Sequence, residues 1–175
     1  MIAVQPACLA DAPAIAALHV KVWRHAYRDL APDSAHAALD VPHRMKQWHA
    51  QLSSAPATER GFVARKDSAI VGIGYCGEAD KPALAGYGEV RLLYVDQNHA
   101  GQGIGTALMR AMADFLAEAG HRRLALGVVD GNLPAIAFYQ ALGGKIAGRF
   151  TNPGPLWPSV DLVMAWDDIA VLQRG

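Results

Sequence analysis

The chain has 175 residues, enough for one compact domain with a buried core, and 52% of them are hydrophobic. Sixteen basic residues balance sixteen acidic ones, so no net charge attracts nucleic acid or an anionic membrane surface. We therefore expect neither nucleic acid nor a membrane as a partner.

Three features of the sequence predict a cytoplasmic location. Cys8 and Cys76 are isolated, so they indicate neither a disulfide framework nor a zinc site, and they suit a reducing compartment. The first residues show no basic region followed by an apolar signal segment. No uninterrupted apolar run approaches the roughly 18 residues of a membrane span.

The chain is predicted to begin with a strand and a helix. Residues 2–5 form the short strand, and a helix capped by Asp11 then extends to about Tyr27. Pro13 is compatible with its first turn. The apolar stripe of this helix consists of Ile15, Leu18 and Val22.

A second helical region is predicted at 33–52. Asp33 or Ser34 would cap it, and Pro42 is expected to interrupt it. Its apolar positions are Leu39, Met45, Trp48 and Leu52.

The middle of the chain is predicted to form a hairpin, a strand and a long helix. The hairpin strands are 61–65 and 69–76 about a turn at 66–68, and the next strand is 87–95. The helix ends at Gly120. Its apolar positions recur at helical spacing at Ile104, Leu108, Ala111, Met112, Phe115 and Ala119.

The last part of the chain is predicted to form a strand at 123–129, a helix that begins at an Asn132 cap and ends at Gly143, and two strands at 145–151 and 160–166. The complete order is β, α, α, β, β, β, α, β, α, β, β. This order predicts a mixed α/β fold with helices on both faces of the sheet. Without an internal repeat or linker, residues 1–175 are expected to form a single domain.

A glycine-rich turn separates the strand ending at Val95 from the long helix. Gly101, Gly103 and Gly105 permit positive φ angles and a close approach to a ligand. The free N–H groups and the positive dipole end of the following helix favour an anion such as a diphosphate. The turn is therefore a candidate anion-binding site.

Two common nucleotide-binding motifs do not fit this turn. Gly101 follows Val95 by six residues, and Thr106 occupies the third glycine position of a dinucleotide fingerprint. A phosphate-binding P-loop would need Gly-Lys-Ser/Thr after the glycines, which this sequence lacks.

The turn and a second segment together resemble the GNAT superfamily of acyl-CoA-dependent N-acyltransferases. The segment 100–105 resembles the family's Gln/Arg-x-x-Gly-x-Gly/Ala loop, with Ala100 in place of the usual Arg or Gln. The family's Asn-x-x-Ala-x-x-Phe-Tyr motif is matched at Asn132, Ala135, Phe138 and Tyr139, before Leu142 and Gly143.

The resemblance implies a twisted, mostly antiparallel sheet in which two parallel central strands, ending at Val95 and Val129, splay apart. The pantetheine arm of acetyl-CoA would lie in the gap and bind mainly to backbone groups. The residues implied in CoA binding are Leu93, Tyr94, Val95, Gly101, Gln102, Gly103, Ile104, Gly105, Thr106 and Asn132. For Asn132, the alternative is a helix cap alone.

The resemblance also implies direct transfer of an acetyl group from acetyl-CoA to a primary amine of a small molecule or a protein. A backbone amide near Leu93 would stabilise the oxyanion. Tyr139 is the candidate acid for the departing thiolate, and the alternative is a packing tyrosine. Glu89 is the candidate base, acting directly or through a water, and the alternative is an ordinary ion-paired glutamate.

Trp23 and Tyr27 are candidates for the acceptor pocket, because the first two helices flank that cleft in the family. Core packing is the alternative for both residues. Trp157, in a proline-rich connection, would cover the acceptor or join a dimer interface. Related enzymes are often dimers, so a homodimer is an open alternative to a monomer.

Metal and covalent catalysis are not indicated. The seven histidines form no HExxH pattern, and neither the serines nor the cysteines lie in a nucleophile motif. His99, inside the glycine turn, would contact a phosphate or face solvent. The alternative function is a noncatalytic acyl-CoA-binding or sensing domain of the same fold.

Overall fold

A seven-stranded sheet organises the chain in this computed structural model, which describes residues 1–174. The strands lie in the order β1-β2-β3-β4-β5-β7-β6, and within this described part only the β4–β5 pair is parallel. The strands are β1 Ile2–Pro6, β2 Arg60–Lys66, β3 Ala69–Glu78, β4 Gly88–Val95, β5 Leu124–Val129, β6 Lys145–Asn152 and β7 Ser159–Trp166. The predicted mixed α/β class is confirmed.

Helices cover both faces of this sheet. They are α1 Ala12–Ala26, α2 Asp33–Ala38, α3 Val41–Ser54, α4 Ile104–Glu118, α5 Leu133–Ala141 and α6 Ala170–Gln173. On one face, Ile15 of α1 and Trp48 of α3 pack against Ile73. On the other, Leu108 of α4 packs with Leu126 of β5. Both layers derive from the apolar stripes of amphipathic helices.

The predicted helical region at 33–52 is two helices, as Pro42 suggested. The break falls at residues 39–40, and the Asp40 side chain accepts a hydrogen bond of 2.7 Å from the His43 N–H, capping α3. The predicted cap of the first part was wrong, because Pro32 occupies that position. Of the apolar positions of this region, Leu39 and Trp48 are buried, whereas Met45 is 41% exposed.

Asp11 is the N-cap residue of α1, as predicted, but its side chain makes no capping hydrogen bond to this helix. Its carboxylate accepts a hydrogen bond of 2.9 Å from the Cys8 N–H and forms an ion pair with Arg65 of β2. The first helix is thereby tied to the sheet. The short helix α6 is absent from the sequence prediction, since four residues carry too little periodic signal.

The strands β4 and β5 separate soon after they pair. Their parallel register includes Gly88 with Leu124 and Glu89 with Ala125, and within residues 1–174 it goes no further. Arg91 is an extra residue between the partners of β3, and such a bulge bends its strand. The splayed central strands that the resemblance implied are therefore present.

None of the helices in the described part of the chain is both long and apolar enough to cross a membrane.

Candidate active site

A cavity of about 880 Å³ occupies the gap between the splayed strands. Its walls are the 90–95 segment of β4, the 126–128 segment of β5, the glycine turn, the start of α4, and one side of α5. The C-terminal end of α1 and the residues that follow it also line the cavity. This volume lies in the range of small-molecule sites, roughly 300–1,000 Å³.

The two strand edges that face the cavity have free peptide groups. β4 bonds to β3 on its other side, and β5 bonds to β7, so beyond Glu89 the inner edges have no neighbouring strand within the described chain. Backbone N–H and C=O groups in such a position need hydrogen-bond partners. The gap can therefore accept an extended ligand that pairs with both edges.

The glycine turn forms the second wall, at the start of α4. Gly101 and Gly103 have φ angles of 75° and 76°, in the left-handed region that favours glycine. Gly103 is the N-cap residue, and its carbonyl accepts the first helical bond from Ala107 at 3.0 Å. The amides of 104–106 consequently have no acceptor inside the helix and are available to an anion.

Gly105 is required for a different reason. A Cβ atom at this position would lie 2.9 Å from Cζ of Phe138, so glycine lets α4 approach α5 closely. The two sequence motifs therefore meet in space, one on each helix. Asp96 fixes the start of the turn, because it accepts from the Asn98 N–H at 3.0 Å and pairs with Lys21 of α1 at 2.7 Å.

Most residues predicted to bind CoA line this cavity. They are Leu93, Tyr94, Val95, Gly101, Gly103, Ile104, Gly105, Thr106 and Asn132. Gln102 is the exception, since its side chain turns outward and accepts a hydrogen bond from Lys66 at 3.0 Å. His99 also lines the cavity, and its buried Nδ1 has no hydrogen-bond partner among the described residues.

Tyr139 lies at the cavity wall on α5, 8% exposed, between Phe138 and Trp166. Its hydroxyl makes no hydrogen bond within the described residues. Burial, reinforced by neighbouring Tyr27, raises the pKa of Tyr139 above its ordinary value. The phenol therefore keeps its proton at neutral pH, which is the form a proton donor needs.

A group of polar side chains extends from Tyr139 toward α1. Burial and then the charge of Asp161 raise the pKa of Tyr27, while the side chains of Tyr94 and Asn132 lower it as hydrogen-bonding neighbours. Asn132 also caps α5, where Oδ1 accepts from the Ala135 N–H at 3.4 Å. It therefore both caps the helix and lines the cavity.

Of the two residues predicted to line the acceptor pocket, only one lines the cavity. Tyr27 lines the cavity, whereas Trp23 is 4% exposed and packs behind it, with 5.1 Å between the two ring centroids. Trp157 packs on both, at 5.4 Å from Trp23 and 5.5 Å from Tyr27. The connection between β6 and β7 thus covers this end of α1.

Glu89 lies outside the cavity lining. The side chain is 1% exposed, forms an ion pair with Lys81, and accepts from the Asp80 N–H at 3.2 Å. Leu84, three residues after Lys81, packs against the sheet at Ala125 of β5 and Val163 of β7. The general-base role of Glu89 stays a prediction, and these contacts weigh against it because Lys81 already neutralises the carboxylate.

His19 is a buried residue that sequence reasoning did not single out. Nδ1 accepts a hydrogen bond of 3.1 Å from Trp48 Nε1, and the ring packs on Tyr94 with 5.0 Å between centroids. Burial and then the Arg44 charge lower the pKa of His19 to about 3. It is therefore a neutral support for Tyr94. A lone histidine on a helix carries no sequence signal for this role.

The splayed parallel strands and the glycine turn are features that the resemblance to the GNAT superfamily implied. The family model for the acetyltransferase (GNAT) family matches residues 20–144. The chain belongs to this family, and the protein is an acyltransferase enzyme.

Several known proteins are similar to this chain. The uncharacterized N-acetyltransferase YuaI of Bacillus subtilis is 28% identical over 170 residues, covering 91% of this chain and 95% of YuaI. The PaiA N-acetyltransferase of Thermoplasma acidophilum, solved with coenzyme A, has a TM-score of 0.76 at 15% identity, covering 94% of this chain and 98% of PaiA. YncA of Salmonella typhimurium, solved with acetyl-CoA, has a TM-score of 0.68 at 17% identity, with 95% and 93% covered.

Proposed function

We propose that this protein transfers an acetyl group from acetyl-CoA directly to a primary amine of a small molecule or a peptide. The observation that carries the proposal is the cavity between β4 and β5, which has free peptide edges along its sides and the free amides of a helix start at one end. PaiA and YncA, which share the fold, were solved with coenzyme A and acetyl-CoA, respectively.

The residues around the cavity suit the chemical groups of acetyl-CoA. The amides of 104–106 would hold the diphosphate, and the free edge at 93–95 would pair with the pantetheine amides. Because Ala100 offers no charged side chain, backbone amides carry this anion contact. Acetyl-CoA supplies the acetyl group as a thioester.

Two protons must move during the transfer. The acceptor ammonium loses one before its nitrogen attacks, and the sulfur that leaves gains one. Tyr139 would donate the second proton from its hydroxyl, which stands at the cavity wall without another partner in residues 1–174. The ion pair with Lys81 weighs against Glu89 as the base for the first proton, so that role stays a prediction.

Release of free thiol from acetyl-CoA, measured across a panel of primary amines, tests the proposal. We expect thiol release that depends on the amine, with one acetylated amine formed per thiol. Binding of CoA without thiol release from any amine would instead support the alternative, a noncatalytic acyl-CoA-binding or sensing domain. A reaction without amine serves as the control for simple hydrolysis.

A further inference from the structure

Arg91 of β4 is the extra residue of the bulge, at the point where the two central strands separate. Its neighbours Val90 and Leu92 lie opposite successive residues of β3, so Arg91 is inserted between them. The parallel register of β4 with β5 includes Glu89, two residues earlier, and residues 90–95 then line the cavity. The bulge therefore stands where the gap between the strands begins.

The Arg91 guanidinium ties this bulge to two other segments. Nη1 lies 2.8 Å from Oε1 of Glu59, which directly precedes β2, and Nη2 donates a hydrogen bond of 2.8 Å to the Glu78 carbonyl at the end of β3. Glu59 also accepts a hydrogen bond of 2.8 Å from the Tyr75 hydroxyl of β3. The side chains of Arg91 and Glu59 are only 20% and 18% exposed. The position of the bulge is thus fixed by a two-branched contact that lies outside its own strand.

One donor of this guanidinium is left without an acceptor. Nε is buried and has no hydrogen-bond partner among residues 1–174, because the Asp80 carboxylate is 3.8 Å away. A buried donor in this situation typically costs about 1–3 kcal/mol and calls for an explanation. Stability alone does not account for a charged, incompletely paired side chain at this place.

The bulge determines how the peptide groups at the start of the gap are oriented. A bulge bends its strand and changes the direction of the groups next to it. Beyond Glu89, the inner edge of β4 is free in the described chain, so peptide N–H groups of 91–93 are available to a ligand. In the proposed reaction, negative charge develops on the acetyl oxygen, and an N–H donor stabilises it only when held about 3 Å away.

We propose that Arg91 is a positioning residue whose bonds to Glu59 and the Glu78 carbonyl hold the bulge, so that a free N–H of residues 91–93 points at the thioester carbonyl. The inference rests on the proposed acetyltransferase function and adds a residue that fixes the donor. The Arg91 side chain contacts no reacting atom in this assignment. It should affect catalysis and leave CoA binding unchanged, since that binding is assigned to residues 93–95 and 104–106.

The carbonyl stretch of bound acetyl-CoA, labelled with carbon-13 at the carbonyl, tests the inference by infrared difference spectroscopy without an amine. A hydrogen bond to the carbonyl oxygen lowers this frequency, so we expect a higher frequency in Arg91→Gln than in the wild type. Outright loss of an oxyanion donor costs about 10²- to 10³-fold in kcat, so its displacement should cost about 10- to 100-fold. CoA affinity, measured by calorimetry, should stay at the wild-type value.

Glu59→Gln is the second variant, because it weakens the same contact from its other side. It should also raise the frequency and lower kcat, and its effects should be less than additive with those of Arg91→Gln. Arg123→Gln is the matched control. Arg123 lies outside the cavity lining, stacks on Tyr87 at 4.5 Å and donates to the Gly86 carbonyl at 3.4 Å. Its replacement should change neither the frequency nor kcat.

Thermal melting shows which variants fold. A folded Arg91 or Glu59 variant with the wild-type carbonyl frequency would overturn the inference even if its kcat fell, because a purely structural role does not change the carbonyl. The transferase proposal fails separately, since thiol release from no amine refutes it while the frequency comparison still decides the role of Arg91. A protein that does not bind acetyl-CoA would refute both.

Discussion

Replacing Tyr139 with phenylalanine removes one hydroxyl group from the cavity wall and leaves the ring in place. The hydroxyl has no hydrogen-bond partner in the part of the chain that the structure describes, so its loss breaks no internal bond. We therefore expect the free energy of unfolding to change by less than about 1 kcal/mol. CoA affinity should also be unchanged, since backbone groups provide its contacts.

Turnover should respond strongly to the same substitution. General acid catalysis typically contributes about 10²- to 10⁴-fold in rate. Burial raises the pKa of Tyr139, which keeps the phenol protonated but makes it a weaker donor, so we expect the lower end of that range. A loss of about 10²-fold in kcat corresponds to about 2.7 kcal/mol of transition-state stabilisation.

The assay is thiol release at saturating acetyl-CoA and amine, with CoA affinity measured separately by calorimetry. Tyr87→Phe is the control, because Tyr87 lies outside the cavity lining and packs under the Arg123 guanidinium. It should leave kcat unchanged. A Tyr139→Phe enzyme with wild-type kcat would refute the proton-donor role, and a parallel loss of CoA affinity would show that the hydroxyl binds CoA instead.

Three further predictions concern packing and charge. Gly105→Ala places a methyl group against Phe138. Thermal melting should show that the free energy of unfolding falls by about 1–3 kcal/mol, and calorimetric titration should show weaker CoA binding. Wild-type values for both would contradict the close contact between α4 and α5. Glu89→Gln removes the buried one of the two carboxylates that pair with Lys81, the other being Asp80, so stability should fall by about 1–3 kcal/mol. The pH–rate profile should stay in place, and a displaced acidic limb would instead support Glu89 as the base. The folded protein lowers the pKa of His19 from 6.5 to about 3. As the pH falls below 6.5, the unfolded chain therefore binds a proton that the folded protein does not bind, which favours unfolding. Urea unfolding should show about 2 kcal/mol less stability at pH 5 than at pH 8. His19→Asn should remove most of that difference, and an unchanged pH dependence in this variant would rule out His19 as its source.

The sequence predicted the order of the elements because each has a strong local pattern. The apolar stripe of α4, its stop near Gly120, and the alternation of the strands are features of neighbouring residues. Boundaries mostly fell within a residue or two. Capping was less predictable, since Pro32 rather than Asp33 is the N-cap residue of α2, and the Asp11 side chain at the start of α1 bonds to Cys8 and Arg65 instead.

The candidate site was predictable to the extent that it consists of backbone and motif. Glycines at a turn before a helix indicate an anion site by their conformational freedom alone, and Asn132 and Tyr139 share a motif with fixed spacing. For Gly105, the sequence predicted the residue type but not the structural reason for it. The family pattern marks it as glycine, but the reason, its contact with Phe138, exists only once α4 and α5 pack together.

Charge pairing was decided by the tertiary structure. Glu89 looked like a base because of its position on β4, and only the folded chain brings Lys81 against it. Arg91 carried no sequence signal for a bulge, yet the fold inserts it there and brings Glu59 and the Glu78 carbonyl against it. Local patterns act over a few residues and determine helices, strands and turns. The electrostatics of a site depends on which distant side chains meet, and that depends on how the sheet and helices assemble.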